Sequence, residues 1–335
     1  MLVIDFITLS ATNALRTKNI KAYRDLIAMT LTQKLVQAPT SLVTAPDTYD
    51  YKLAFAKKFL KNLFTRHKPK LLPEHLDVSS TIEVSPALLQ NWHEFLGLQS
   101  SLQASAPYFL GAALLNTIDL LNRSHISLAK LVHLKSSVII HKPVAVKANA
   151  HITTTQKINK IQIRKNAFIL GLSGEISIDG HLFRTHQEDF YIRNSKLISE
   201  NVNLPVHDCS HMIRHIKSRK AQLYLSVTRP PVPVTIKKSM PLNYAHISGD
   251  YNLFHATKIG AKLCGQPEAF LQGTGVQSLC WQFLENALKK QVKNFDIIFA
   301  KPAYVGKTYA LWFDHQSFEL VDDHFTLVAF GGYSV

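Results

Sequence analysis

Val138-Ile-Ile-His-Lys-Pro-Val-Ala-Val146 and Ile297-Ile-Phe-Ala-Lys-Pro-Ala-Tyr-Val305 are one pattern written twice, 159 positions apart (301 − 142) when Lys142-Pro143 is matched to Lys301-Pro302. Upstream, Tyr108-Phe-Leu-Gly111 parallels Ala269-Phe-Leu-Gln272 at an offset of 161 (270 − 109). In each copy the pattern follows a long apolar segment with helical periodicity, Pro107 to Leu121 and Gly273 to Leu288. The first copy continues into segments that read as strands: Leu131 to Ile140, Val144 to Thr154, Lys165 to Ile178, and His181 to Ile192 after an Asp179-Gly180 hairpin turn. One long helix followed by antiparallel strands implies a sheet wrapped around that helix, which is the hotdog fold. Two copies make an α+β double hotdog, with two antiparallel sheets each around a central helix. The expected organisation is an N-terminal helical extension over 1–75, a first hotdog over 76–200 and a second over 201–335.

The copies differ just ahead of the helix. From Gly97 to Phe109 is 12 positions (109 − 97), whereas from Gly249 to Phe270 is 21 (270 − 249). The surplus in the second copy contains Ile247-Ser-Gly-Asp-Tyr-Asn-Leu-Phe-His255. A carboxylate, Asp250, stands five residues before an imidazole, His255. An irregular turn at Gly249 can aim both at one water, the requirement for a general acid/base pair. The plainer reading of the stretch is a helix start with Ser248 or Asp250 as N-cap. The first copy has Leu98 where the second has Asp250. It is therefore expected to be a non-catalytic half that helps form the pocket.

This stretch resembles the MaoC-like dehydratases, the (R)-specific enoyl-thioester hydratases. Their signature is a tyrosine, S-G-D-x-N-P-[LI]-H, a spacer, an H-G pair opening an apolar helix, and a strand F-x-x-P-V-x-x-G. Here Tyr244, Ser248-Gly-Asp250, Asn252, His255, Ala261, Gly265, Gln272-Gly273 and Phe299-Ala-Lys-Pro-Ala-Tyr-Val-Gly306 match in order. Leu253 stands where the family has proline, and Gln272 where it has histidine. The resemblance implies the hotdog fold and reversible addition of water to an enoyl thioester, giving the (R)-3-hydroxyacyl product. Asp250 and His255 are expected to share the proton transfers, with the roles of the two left open. The Gly273 N–H, at the start of the apolar helix, is expected to meet the thioester oxygen. Asn252 is expected to fix the turn, Gln272 to orient what lies beside Gly273, and Ser278 either to border the site or to pack. No cofactor or metal is called for. A hotdog thioesterase and a non-catalytic acyl-binding protein are the competing readings.

Composition bounds the rest. The chain has 335 residues, 46% hydrophobic and 18% charged, enough for two folded units rather than a disordered chain. Three scattered cysteines and an acidic opening without a signal peptide point to the cytoplasm. No apolar run is long enough for a transmembrane segment. A net charge of +15 suits an acyl thioester of coenzyme A or of an acyl carrier protein. No helix-turn-helix, zinc finger or RNA-binding signature supports nucleic acid. Monomer and homodimer both fit.

Tyr51 to Lys70 reads as a basic amphipathic helix, packed with one solvated face; peripheral membrane contact stays open. His207, His211 and His215 recur every fourth position and are read as surface histidines of a helix rather than zinc ligands. Asn194 to Pro205 and Arg229-Pro-Pro-Val-Pro233 read as linkers, and Leu172-Ser-Gly-Glu175 as ordinary strand.

Overall fold

The computed structural model describes residues 69–335 apart from 72–76, 98–109, 128–129, 143–145, 165–166, 194–197, 200–205, 209, 251 and 264. The expected N-terminal extension, with the amphipathic segment from Tyr51, thus lies almost wholly outside the described residues, as does the segment after Gly97.

Two runs of elements repeat in the same order. The first is β1 (Asp77–Glu83), α1 (Pro86–Leu96), α2 (Leu110–Arg123), β2 (Leu131–Ile140), β3 (His151–Arg164), β4 (Ala167–Ile178) and β5 (His181–Ile192). The second is β6 (Val232–Ile236), α3 (Met240–Ser248), α4 (Gly273–Leu288), β7 (Asn294–Phe299), β8 (Lys307–Phe313), β9 (Ser317–Val321) and β10 (Leu327–Ser334), with short helices Leu253–Ala256 and Lys258–Leu263 between α3 and α4. The strands form one sheet in the order β1-β3-β4-β5-β2-β7-β10-β9-β8-β6. Each half therefore has the same internal order, and the halves join where β2 pairs antiparallel with β7, Val138 opposite Phe295 and Lys135 opposite Ile298. The architecture is a double hotdog, its two sheets fused edge to edge into one.

Local chemistry sets the element ends. Ser85 Oγ accepts from the Leu88 N–H at 3.1 Å, Pro86 sits in the first turn, and Gly97 closes α1 in the left-handed region. Asp179 and Gly180 both take positive φ, the two-residue turn that suits the twist of β4 and β5. One core spans both halves: Val138, Ile140, Phe295, Ile297 and Trp281 are all buried in it. Trp281 of α4 stacks on Phe295 at 4.8 Å, and Phe295 on Phe318 at 5.0 Å. Helix α2 packs on β1 and β3, and α4 on β6 and β7.

Several sequence expectations are corrected. The strand expected over Val144 to Thr154 runs instead from His151 to Arg164, and the next begins at Ala167. Pro233, expected in a linker, lies in β6 opposite Ala310. That strand is a sheet edge, where the missing proline N–H breaks no ladder. Within the expected linker 194–205, Ile198–Ser199 pairs parallel with Lys70–Leu71. The three spaced histidines do not share a helix: His207 lies in a strand, Val206–Asp208, that pairs with β3, and only His211 and His215 fall in helix Ser210–Ser218.

Candidate active site

Helix α3 ends at Gly249, whose φ of 73° is open to glycine at little cost, and its N–H closes on the Ala245 carbonyl at 2.9 Å. Ser248 then ties the exit. Its hydroxyl donates to the Tyr244 carbonyl at 2.8 Å and accepts from the Asp250 N–H at 3.1 Å. Asp250 Oδ1 accepts from the Asn252 N–H at 3.2 Å, and Asn252 Oδ1 from the Phe254 N–H at 3.0 Å. These are two consecutive Asx-type turns. Asn252, not Ser248 or Asp250, is thus the residue that caps the next helix, Leu253–Ala256, on which His255 stands.

Both ends of this turn meet the segment before α4. Gln272, 1% exposed, sends its Nε2 to the carbonyls of Pro241 and Asp250, each at 3.2 Å. The His255 ring packs edge-on to Phe270 at 4.5 Å. Phe270–Leu271 is held in turn by pairing with Ala303–Tyr304. Gln272 is the residue that precedes the first turn of α4, so the Gly273 N–H belongs to the group that no intrahelical carbonyl reaches.

Electrostatics follow from burial. Asp250 is pushed up to about 6 because burial disfavours its charge, with the Asn252 N–H pulling the other way. His255 is pushed down to about 4 for the same reason, opposed by the Phe270 backbone. Near neutral pH the pair is a carboxylate and a neutral imidazole, and His255 Nδ1 is buried with no hydrogen-bond partner among the described residues. Ser278 is fully buried and donates to the Thr274 carbonyl of its own helix at 2.8 Å.

Sequence reading missed a contribution from the first half. A Cβ on Gly273 would come within 3.1 Å of His133 Nδ1, so His133 of β2 lies directly against the start of α4. Its Nε2 meets Glu188 Oε2 at 2.6 Å. Ser136 donates to the other Glu188 oxygen at 2.8 Å, and Gln277 of α4 donates to Ser136 at 2.8 Å. The repeat itself was the available signal, since β2 pairs with β7 and brings the first half to the helix start of the second.

No model of a protein family matches the sequence, and no curated protein does. Among solved structures, HtdX of Mycobacterium tuberculosis is similar at a TM-score of 0.59 and 15% identity, covering 77% of this chain and 98% of that one. The full-length peroxisomal multifunctional enzyme type 2 of Drosophila melanogaster is similar at 0.55 and 17%, over 77% of this chain and 48% of that one. A MaoC-like dehydratase of Phytophthora capsici is similar at 0.54 and 16%, over 77% and 94%. Among the described residues no helix is long and apolar enough to cross a membrane. The fold of this chain is the fold of the MaoC-like dehydratases.

Proposed function

We propose that the chain is an (R)-specific enoyl-thioester hydratase, or 3-hydroxyacyl-thioester dehydratase in reverse, with Asp250 and His255 as its acid/base pair. The observation that carries this reading is the Asx-turn segment 248–256, which sets a carboxylate and an unpartnered imidazole nitrogen beside the first turn of α4. A water between the two groups loses a proton to one of them as its oxygen bonds to Cβ. That proton passes across the pair to Cα, so the carboxylate and the neutral imidazole each end as they began. Charge gathering on the thioester oxygen is met by the Gly273 N–H and the positive end of α4. Gln272 ties the helix start to the Asp250 backbone and so positions both parts of the machinery relative to each other.

The thioester carrier is coenzyme A or an acyl carrier protein, both suited to a chain of net charge +15. The test is incubation with trans-2-enoyl thioesters of both carriers, following loss of the conjugated absorbance and the configuration of the product. Consumption with (R)-3-hydroxyacyl product is expected. A chain inert on every enoyl thioester, yet binding them, is a non-catalytic acyl-binding protein.

A further inference from the structure

The face of β5 turned into the first half carries Arg184, His186 and Glu188, all buried and alternating along the strand. Arg184 is 0% exposed, and its Nε, Nη1 and Nη2 have no hydrogen-bond partner among the described residues. Glu188 acts on it across space without a hydrogen bond to it; its oxygens meet His133 and Ser136. A buried guanidinium with the Glu188 charge in electrostatic reach but no hydrogen-bonded partner among the described residues is a costly arrangement for a fold to keep.

The neighbours add donors, not acceptors. Thr117 Oγ1, whose one proton has both the Ala113 carbonyl at 3.0 Å and Gln156 Oε1 at 2.9 Å as acceptors, lies beside the Gln156 amide, and Gln156 Nε2 sits 3.5 Å from His186 Nε2. With the amide in this orientation His186 Nε2 accepts and Nδ1 carries the ring proton; Nδ1 is buried and has no hydrogen-bond partner among the described residues. Burial and the adjacent Arg184 hold this imidazole down to about 3, so it stays neutral. The position is built rather than incidental: a Cβ on Gly174 would lie 2.7 Å from His186 Cε1, so only glycine lets the ring lie across β4. Arg184 also lies within electrostatic reach of Tyr244, whose phenol burial holds protonated, and Tyr244 is in reach of Asp250. The nearby Thr274 hydroxyl pulls that phenol the other way.

We propose that Arg184, with His186 Nδ1 beside it, is the recognition site for a carboxylate carried by the acyl chain of the substrate. Being wholly buried and coupled to Tyr244 on the helix that leads into Asp250, it meets the acyl end of a thioester and not the phosphates of its carrier. The guanidinium pairs two oxygens of a carboxylate in plane, and the imidazole N–H supplies a third donor. This assignment rests on the hydratase reading and deepens it, naming acyl groups with a second, terminal acid as the substrate class.

The test uses the full chain and matched coenzyme A thioesters of trans-2-enoic acids, equal in length and ending in methyl or in carboxylate, at several lengths. At the best length the wild type is expected to favour the carboxylate-ended member by about 100-fold or more in kcat/KM, since a buried donor site left unpaired rejects the analogue. Arg184→Met is expected to bring that ratio to about one, and Arg184→Lys to an intermediate value. Equal or better use of the methyl-ended series by the wild type overturns the proposal and leaves the hydratase reading standing. Should no enoyl thioester react, the hydratase reading fails by itself. The saturated pairs are then compared by calorimetry on the same proteins, where equal affinity of the wild type for both ends overturns the carboxylate site and a preference lost in Arg184→Met upholds it.

Discussion

The two halves are built alike and filled differently. Taking Lys142-Pro143 as the counterpart of Lys301-Pro302, Ile140 corresponds to Phe299 and Val138 to Ile297. Across the sheet from Ile140 and Val138 lie Arg184 and His186; across from Phe299 and Ile297 lie Ala329 and Gly331. The column of β5 that is basic and polar in the first half is thus small and uncharged on β10 in the second. The difference before the central helix runs the other way. Both α1 and α3 end on a left-handed glycine, Gly97 and Gly249. Only after Gly249 does the chain carry an acid and an imidazole on consecutive Asx turns. On the proposed reading, one half holds the chemistry and the other forms the wall that reads the substrate. Duplication permits this, because the β2–β7 seam sets His133 of the first half against Gly273 of the second.

The largest effect should come from the feature present in one half alone. Asp250→Asn and His255→Ala are each expected to lower turnover by about 10²–10⁴ while circular dichroism and melting show an intact fold. His93, on α1 of the first half, is the control: His93→Ala is expected to alter stability and not the chemical step. If a dyad variant keeps its rate within about threefold, or His93→Ala stops chemistry with substrate still bound, the division of labour is wrong.

What the halves share can be broken as well. Phe295 is fully buried in β7, opposite Val138 of β2, and stacked between Trp281 and Phe318. Phe295→Ala is expected to cost about 3–5 kcal/mol. Because the core is continuous across the seam, denaturant unfolding followed by tryptophan fluorescence and by far-ultraviolet circular dichroism should give coincident transitions. Separate transitions would show two independent units rather than one fused sheet.

The same comparison shows where the sequence was legible. Leu131–Ile140, His181–Ile192 and Gly273–Leu288 have the bounds expected from their periodicity and from the Asp179-Gly180 turn. β3 was misplaced because its interior-facing residues include Thr154 and Gln156, both buried, so neither of its faces reads as apolar. For the same reason β5 showed alternation without saying which face was inside: Arg184, His186 and Glu188 look like a solvent face and are the buried one. The acid and imidazole of the second half were visible because a local turn motif carries them. The contacts of Gln272 and His133 were not, since each joins residues far apart in the chain.

Asp250 also gives a smaller, pH-dependent effect. Burial raises its carboxyl from 3.8 to about 6, so between these values the unfolded chain releases a proton that the native state retains. Its contribution to stability is complete below about pH 3.8 and is lost as pH rises through about 6. Asp250→Asn should therefore stabilise the protein above pH 6, by about 1–3 kcal/mol for a partly exposed group, and leave it unchanged near pH 3.8. A variant no more stable than the wild type at neutral pH would mean that the carboxylate is paired rather than desolvated. The aligned position in the first half, Leu98, carries no such pH dependence.

The smallest effect is expected at Gln272, where the chain departs from the pattern it resembles. One nitrogen, Nε2, serves two carbonyls, those of Pro241 and Asp250, so the residue acts as a double donor that ties α3, the turn and α4 together. A neutral histidine has one N–H and can serve only one of the two. Gln272→His should therefore lower turnover by less than about tenfold, under roughly 1.4 kcal/mol of barrier. Gln272→Met, which removes the hydrogen bonds to the Pro241 and Asp250 carbonyls, should lose more activity and some stability. The decisive result would be the opposite sign: a wild type inert on all enoyl thioesters that Gln272→His switches on. Residue 272 would then be a chemical participant that this chain has lost. The second half, like the first, would be a binding wall rather than a catalyst.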